Sequence, residues 1–137
     1  MPVTKSSKTL VDEANARIRT LSVEQAAQRL HDPDAVFVDI RDVRELEREG
    51  LIPGAVHAPR GMLEFWVDPQ SPYYREIFGS GKEFILYCAG GWRSALATAT
   101  LQDMGLAPVA HVAGGFGAWK QAGQPVEQKK PKAAAAA

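Results

Sequence analysis

One short run concentrates the reactive side chains of this sequence: Cys88-Ala89-Gly90-Gly91-Trp92-Arg93-Ser94. Cysteine is a nucleophile as its thiolate, and thiolates form where positive potential and hydrogen-bond donors surround the sulfur. The flanking residues predict such a place. Phe84-Ile85-Leu86-Tyr87 is continuously apolar, as a central parallel strand buried on both faces would be. Ser94 to Met104 reads as a deep helix of small and apolar residues, ended by Gly105. A loop between that strand and that helix meets unpaired amides and the positive end of the helix dipole. Gly90 and Gly91 let the backbone curl so that several amides point inward as an anion nest. Arg93 adds a permanent cation with a planar fork suited to an oxyanion. A lone cysteine is more often a small buried hydrophobe. It is the combination of strand, glycines, arginine and helix start that points to an anionic sulfur, as a thiolate or a terminal persulfide.

Other residues carry weaker signals. Asp39 stands at the carboxyl end of a predicted strand, where it can hold the loop or an arginine. An ion pair with Arg41 or Arg60 is the structural alternative. Arg60 follows a short apolar stretch and could add charge to the pocket or simply be solvated. Trp92 can cover the mouth of the loop or pack. Phe65, Trp66, Tyr73 and Tyr74 can wall a pocket, form a partner surface or fill core. His57 and His111 are too isolated to bind a metal, so no metal site and no cofactor are expected. Gly114-Gly115-Phe116-Gly117 lacks the flanking context of a nucleotide fingerprint.

Local sequence signals set the succession of elements around these residues. Ser22-Val23-Glu24-Gln25 is a capping box, and Val23, Ala26, Ala27 and Leu30 follow helical spacing. Ala35 to Ile40 reads as a strand, Asp42 as the cap of a second helix and Gly50 as its stop. Val56-His57-Ala58 reads as a short strand and residues 61–78 as short helices on an excursion. Pro108 to Val112 reads as a strand, and Phe116 to Gln121 as a last helix. Alternating strands and helices predict an α/β fold with a mostly parallel sheet, whose ligands bind beyond the carboxyl ends of the strands. That rule selects the segment after Tyr87. Residues 1–14 are expected to be a flexible tail, 15–128 the folded domain, and 129–137 a disordered Lys/Ala-rich tail, since so short an alanine helix is marginal in water.

The composition narrows the function classes. The 137 residues suggest one domain, and the sixteen basic and sixteen acidic side chains cancel, so no global field argues for nucleic acid or an anionic membrane surface. One cysteine admits no intrachain disulfide, which fits a reducing compartment. The polar start from Met1 to Lys8 has no signal-like core, and no apolar run approaches the roughly eighteen residues of a membrane span. A cytoplasmic location is expected.

Four stretches together resemble the rhodanese family. They are Val38-Asp39-Ile40-Arg41-Asp42, Gly50-Leu51-Ile52-Pro53-Gly54-Ala55, the Cys88–Ser94 loop, and Gly114-Gly115-Phe116-Gly117-Ala118-Trp119 followed by Gly123-Gln124-Pro125-Val126. In the second stretch Leu51 stands where the family commonly has histidine. The resemblance implies a doubly wound α/β fold with helices on both faces of the sheet. It implies a sulfurtransferase, with Cys88 as the nucleophile that becomes a persulfide. The amides of Ala89, Gly90, Gly91, Trp92, Arg93 and Ser94 would form the anion cradle, and Arg93 would bind the donor or the persulfide. The partners implied are a small thiosulfate-like sulfur donor, a thiol or cyanide acceptor, and a protein persulfide partner as a further donor. Four residues separate Cys88 from Arg93, as in the sulfurtransferases, where the related phosphatases and arsenate reductases have five. A non-catalytic binding or sensing module on the same scaffold is the alternative from another class.

Overall fold

The computed structural model describes residues 2–130. The elements run α1 Ser7–Asn15, β1 Arg19–Leu21, α2 Val23–Ala27, β2 Ala35–Asp39, α3 Val43–Glu49, β3 Val56–His57, α4 Leu63–Val67, β4 Glu83–Tyr87, α5 Trp92–Asp103, β5 Val109–Val112 and α6 Gly115–Gln121. Short 3₁₀ turns at Arg60–Met62 and Glu76–Gly79 fill the excursion between β3 and β4. The strands form one sheet in the order β1-β5-β4-β2-β3, and every pairing is parallel.

Strand alternation sends successive side chains to opposite faces. Val36, Val38, Phe84, Leu86 and Val109 therefore share one core with Leu63 and Val67 of α4 and Ala97 and Leu101 of α5. Phe37, Ile85, Tyr87, Ala110 and Val112 meet Val23 and Ala26 of α2 and Phe116 and Trp119 of α6 on the other face. This is the doubly wound arrangement implied by the family resemblance, with helices on both faces.

Local chemistry sets the element ends. Ser22 Oγ accepts from the Gln25 amide, and the Gln25 side chain accepts from the Ser22 amide, closing the capping box of α2. Asp42 and Glu45 do the same for α3. That helix stops at Gly50, where φ is +85° and a Cβ would sit 2.6 Å from Val126 Cγ1. The next residue, Leu51, is buried and exchanges two 2.9 Å backbone hydrogen bonds with Glu127. At the position commonly occupied by histidine, its backbone thus ties α3 to the C-terminal segment.

The N-terminal segment departs from the sequence reading. Residues 1–14 were expected to be a flexible tail, yet they hold most of α1. Ser6 caps this helix, and Val11 and Ala14 are buried against Ala95 and Ala99 of α5. Arg17 then grips Asp103 with two hydrogen bonds of 2.8 and 3.0 Å. The strand β1 was not anticipated either. It is three residues long, buries only Leu21 and is tied to the start of β4 by Arg19 on Glu83. In the tail read as 129–137, residues 131–137 lie outside the described residues. No helix among the described residues is long and apolar enough to cross a membrane.

Candidate active site

Cys88 follows β4 directly and is only 1% exposed. Its sulfur accepts hydrogen bonds from the amides of Gly91 at 3.1 Å and Ser94 at 3.4 Å. Gly91 adopts φ +100° as the cap residue of the twelve-residue α5, so the loop turns into the helix with amides facing the sulfur. Of the six loop amides named above, these two reach it. Gly90 lies exposed at the outer turn, and Trp92 opens α5 with 54% of its surface exposed.

The underside of the loop is held by α6. The amides of Phe116 and Gly117 donate to the carbonyls of Cys88 at 2.8 Å and Ala89 at 3.0 Å. Gly114 and Gly115 both have positive φ, and a Cβ on Gly115 would lie 2.5 Å from the Cys88 carbonyl oxygen. Backbone meets backbone here because there is no side chain between them.

Arg93 stands beside the loop, but its fork is engaged. Its two terminal nitrogens donate to the two oxygens of Glu45 at 2.9 and 3.0 Å, and the guanidinium holds that carboxyl below the usual carboxylate range. Glu45 comes from the first turn of α3, where it also closes the capping box. Asp39 and Arg41 form a fully buried pair, with the Arg41 Nη2 donating to Asp39 at 2.7 Å and to the Gly50 carbonyl at 2.7 Å. The Arg41 guanidinium lies 4.4 Å from the centroid of the Phe116 ring. Asp39 thus meets Arg41, which in turn touches α6 through Phe116. Arg60 is not brought to the loop: it pairs with Glu64 one turn along at 2.7 Å.

A polar chain that the sequence reading missed leads away from the sulfur. Ser94 Oγ is 3.5 Å from Cys88 Sγ and 2.9 Å from His111 Nδ1, and His111 Nε2 is 3.0 Å from Asn15 Oδ1. The sequence offers His111 only as an isolated residue unfit for a metal site. Its place on a fully buried strand, with no apolar reason to be there, was the available signal.

Two openings flank the loop. A cleft of about 440 Å³ between α3 and α6 is lined by Arg41, Glu45, Arg48, Ala89, Phe116 and Lys120, among others. A groove of about 420 Å³ on the other side runs between α1 and the loop, past Asn15, Gly91, Trp92 and His111. Among the described residues no group of His, Cys, Asp and Glu could hold a metal ion.

Comparison with known proteins bears on this geometry. A family model described as Rhodanese-like domain matches residues 22–122. A sulfurtransferase from Allochromatium vinosum is 30% identical over 110 residues, covering 80% of this chain and 94% of that protein. A tRNA uridine(34) hydroxylase from Photorhabdus laumondii is 34% identical over 98 residues, covering 70% of this chain and 26% of that much longer protein. A solved structure from Rhodopseudomonas palustris, described as a protein of unknown function and possible tyrosine phosphatase, is 56% identical with a TM-score of 0.90, covering 93% of this chain and 98% of that one.

Proposed function

The chain belongs to the rhodanese-like domain family, and from that premise we propose that it is a sulfurtransferase carrying sulfane sulfur on Cys88. The observation that carries the proposal is the buried Cys88 sulfur receiving two amides at the start of α5. The thiolate attacks the outer sulfur of a donor such as thiosulfate. A new S–S bond forms on Cys88, the donor's S–S bond breaks, and sulfite leaves with its electron pair. Cyanide, or a thiolate of a small molecule or protein, then takes the outer sulfur and Cys88 leaves as thiolate. This is covalent catalysis in two steps, each easier than direct exchange. Backbone donors that favour one sulfur anion also favour the next, so the loop serves both halves of the cycle. The similarity to a sulfurtransferase over nearly its whole length supports the same reading.

Phosphoryl transfer fits less well. It calls for several donors around three equatorial oxygens and a free bidentate arginine. Here the Arg93 fork is filled by Glu45, and the loop has the shorter spacing.

Thiosulfate added to the whole protein is expected to raise its intact mass by about 32 units, one sulfur, and cyanide to remove that increment. Cys88→Ser should gain nothing. A free thiol that takes no sulfur from thiosulfate or polysulfide, in a protein that hydrolyses an aryl phosphate, would sink the proposal in favour of a phosphatase.

The Glu45 contact yields a second expectation. Glu45→Gln keeps an oxygen for the Asp42 amide but releases the Arg93 charge. The KM for dianionic thiosulfate is expected to fall about 3- to 10-fold, with kcat nearly unchanged, as for an exposed ion pair of modest strength. A neutral sulfane donor should show no change. Steady-state kinetics with both donors checks this.

A further inference from the structure

The polar chain behind Cys88 is not used by the proposed reaction. Cys88, Ser94 and His111 are buried, whereas Asn15, the last residue of α1, is exposed. The whole of α1 precedes the residues 22–122 that match the family model.

The hydrogens in this chain follow from what each atom can do. An amide oxygen only accepts, so the His111 Nε2 facing Asn15 Oδ1 carries the hydrogen. Burial pushes the imidazole down to about 4, so the ring is neutral and its Nδ1 is an acceptor. Ser94 then donates its single hydroxyl hydrogen to Nδ1. What the Ser94 oxygen shows to the sulfur is a lone pair, which an S–H satisfies and a thiolate does not. The loop amides favour the thiolate; the hydroxyl, held this way, favours the thiol.

We propose that Asn15, His111 and Ser94 are positioning residues through which the N-terminal helix sets the fraction of Cys88 resting as thiol. Forming the thiolate sends the S–H proton to solvent. For Ser94 to turn its hydrogen onto the sulfur it must release Nδ1, or the ring must move its hydrogen from Nε2 to Nδ1, which the Asn15 oxygen opposes. The charged groups around the polar network are Asp12, paired with Lys8 on α1, Asp39 of β2, paired with Arg41, and Arg93 of α5, which pairs with Glu45 of α3 and also faces the Cys88 sulfur, where its charge favours the thiolate. In the groove, Thr20 of β1 and the turn residues Ala113 and Gly114 bring no charge.

The inference rests on Cys88 being the reactive thiol, and the test reads that thiol without any sulfur donor. Its failure therefore leaves sulfur transfer standing, and a failure of sulfur transfer leaves the alkylation result intact. The rate of iodoacetamide alkylation at Cys88 is measured by intact mass from about pH 5 to about pH 10. His111→Leu is expected to lower the pH midpoint by about one unit, giving about tenfold faster alkylation below it. Asn15→Ala, at an exposed site that leaves the core untouched, is expected to shift it the same way by less. In a Ser94→Ala background, His111→Leu is expected to shift nothing. An unmoved or raised midpoint in Asn15→Ala overturns the proposal, as does an equal fall from His111→Leu without the Ser94 hydroxyl.

Discussion

Asp39→Ala is expected to lower the thermal midpoint by about 10–25 °C. The change leaves the Arg41 guanidinium, 1% exposed, without its carboxylate. Removing one member of a buried ion pair costs about 3–5 kcal/mol, because an uncompensated charge remains in the interior, and about 3–6 °C accompanies each kcal/mol in a domain of this size. The Gly50 carbonyl and the Phe116 ring would still contact Arg41, but neither neutralises it. The double change Asp39→Ala with Arg41→Met removes the stranded charge and is expected to recover part of the loss. Thermal unfolding of the three proteins decides it: a fall under about 5 °C in the single variant would mean that Arg41 reaches water.

Gly115→Ala is expected to cut sulfur transfer by more than about 100-fold, since a misplacement near 1 Å at a reacting group costs that much. The added methyl has no room. It would meet the Cys88 oxygen at 2.5 Å and the Ala89 carbonyl carbon and oxygen at 2.8 Å, in a backbone conformation of φ +62° that alanine seldom adopts. All the opposing atoms are backbone of the cysteine loop, so relief comes by moving the loop. Gly123→Ala is the control: φ is +75° there too, but nothing lies within 4 Å. It carries the conformational cost alone, about 1–3 kcal/mol, and should transfer sulfur at the parental rate at temperatures where it is folded. Equal activity losses in the two variants would show that strain, and not the collision with the loop, is responsible.

Four of the five strands and the cysteine loop are legible in the sequence because their signals are local. Phe84 to Tyr87 is an unbroken apolar run, Ser22 and Asp42 announce their helices within four residues, and Cys88 carries its glycines and arginine beside it. Features missed or misread depend on partners far along the chain. Glu45 engages Arg93 from 48 residues away, and Asn15 meets His111 across 96. Nothing near either residue encodes the meeting. The helix α1 escaped notice because only Val11 and Ala14 of its nine residues are buried, too few to produce a periodic stripe. Gly115 was visible only as part of a motif; its need for φ +62° becomes apparent once α6 is seated on the loop.

The register of β1 on β5 has a consequence for the chain as it is made. Arg19 lies opposite Ala110 and Leu21 opposite Val112, so the first and last strands of the described sheet in chain order are paired. Translation delivers α1 and β1 before α5 and β5, so their seats on α5 and β5 are absent until those later elements have left the ribosome. Closing so long a loop is an entropic cost met late in folding. A nascent chain can therefore already contain Cys88 while the Asn15–His111 contact has yet to form.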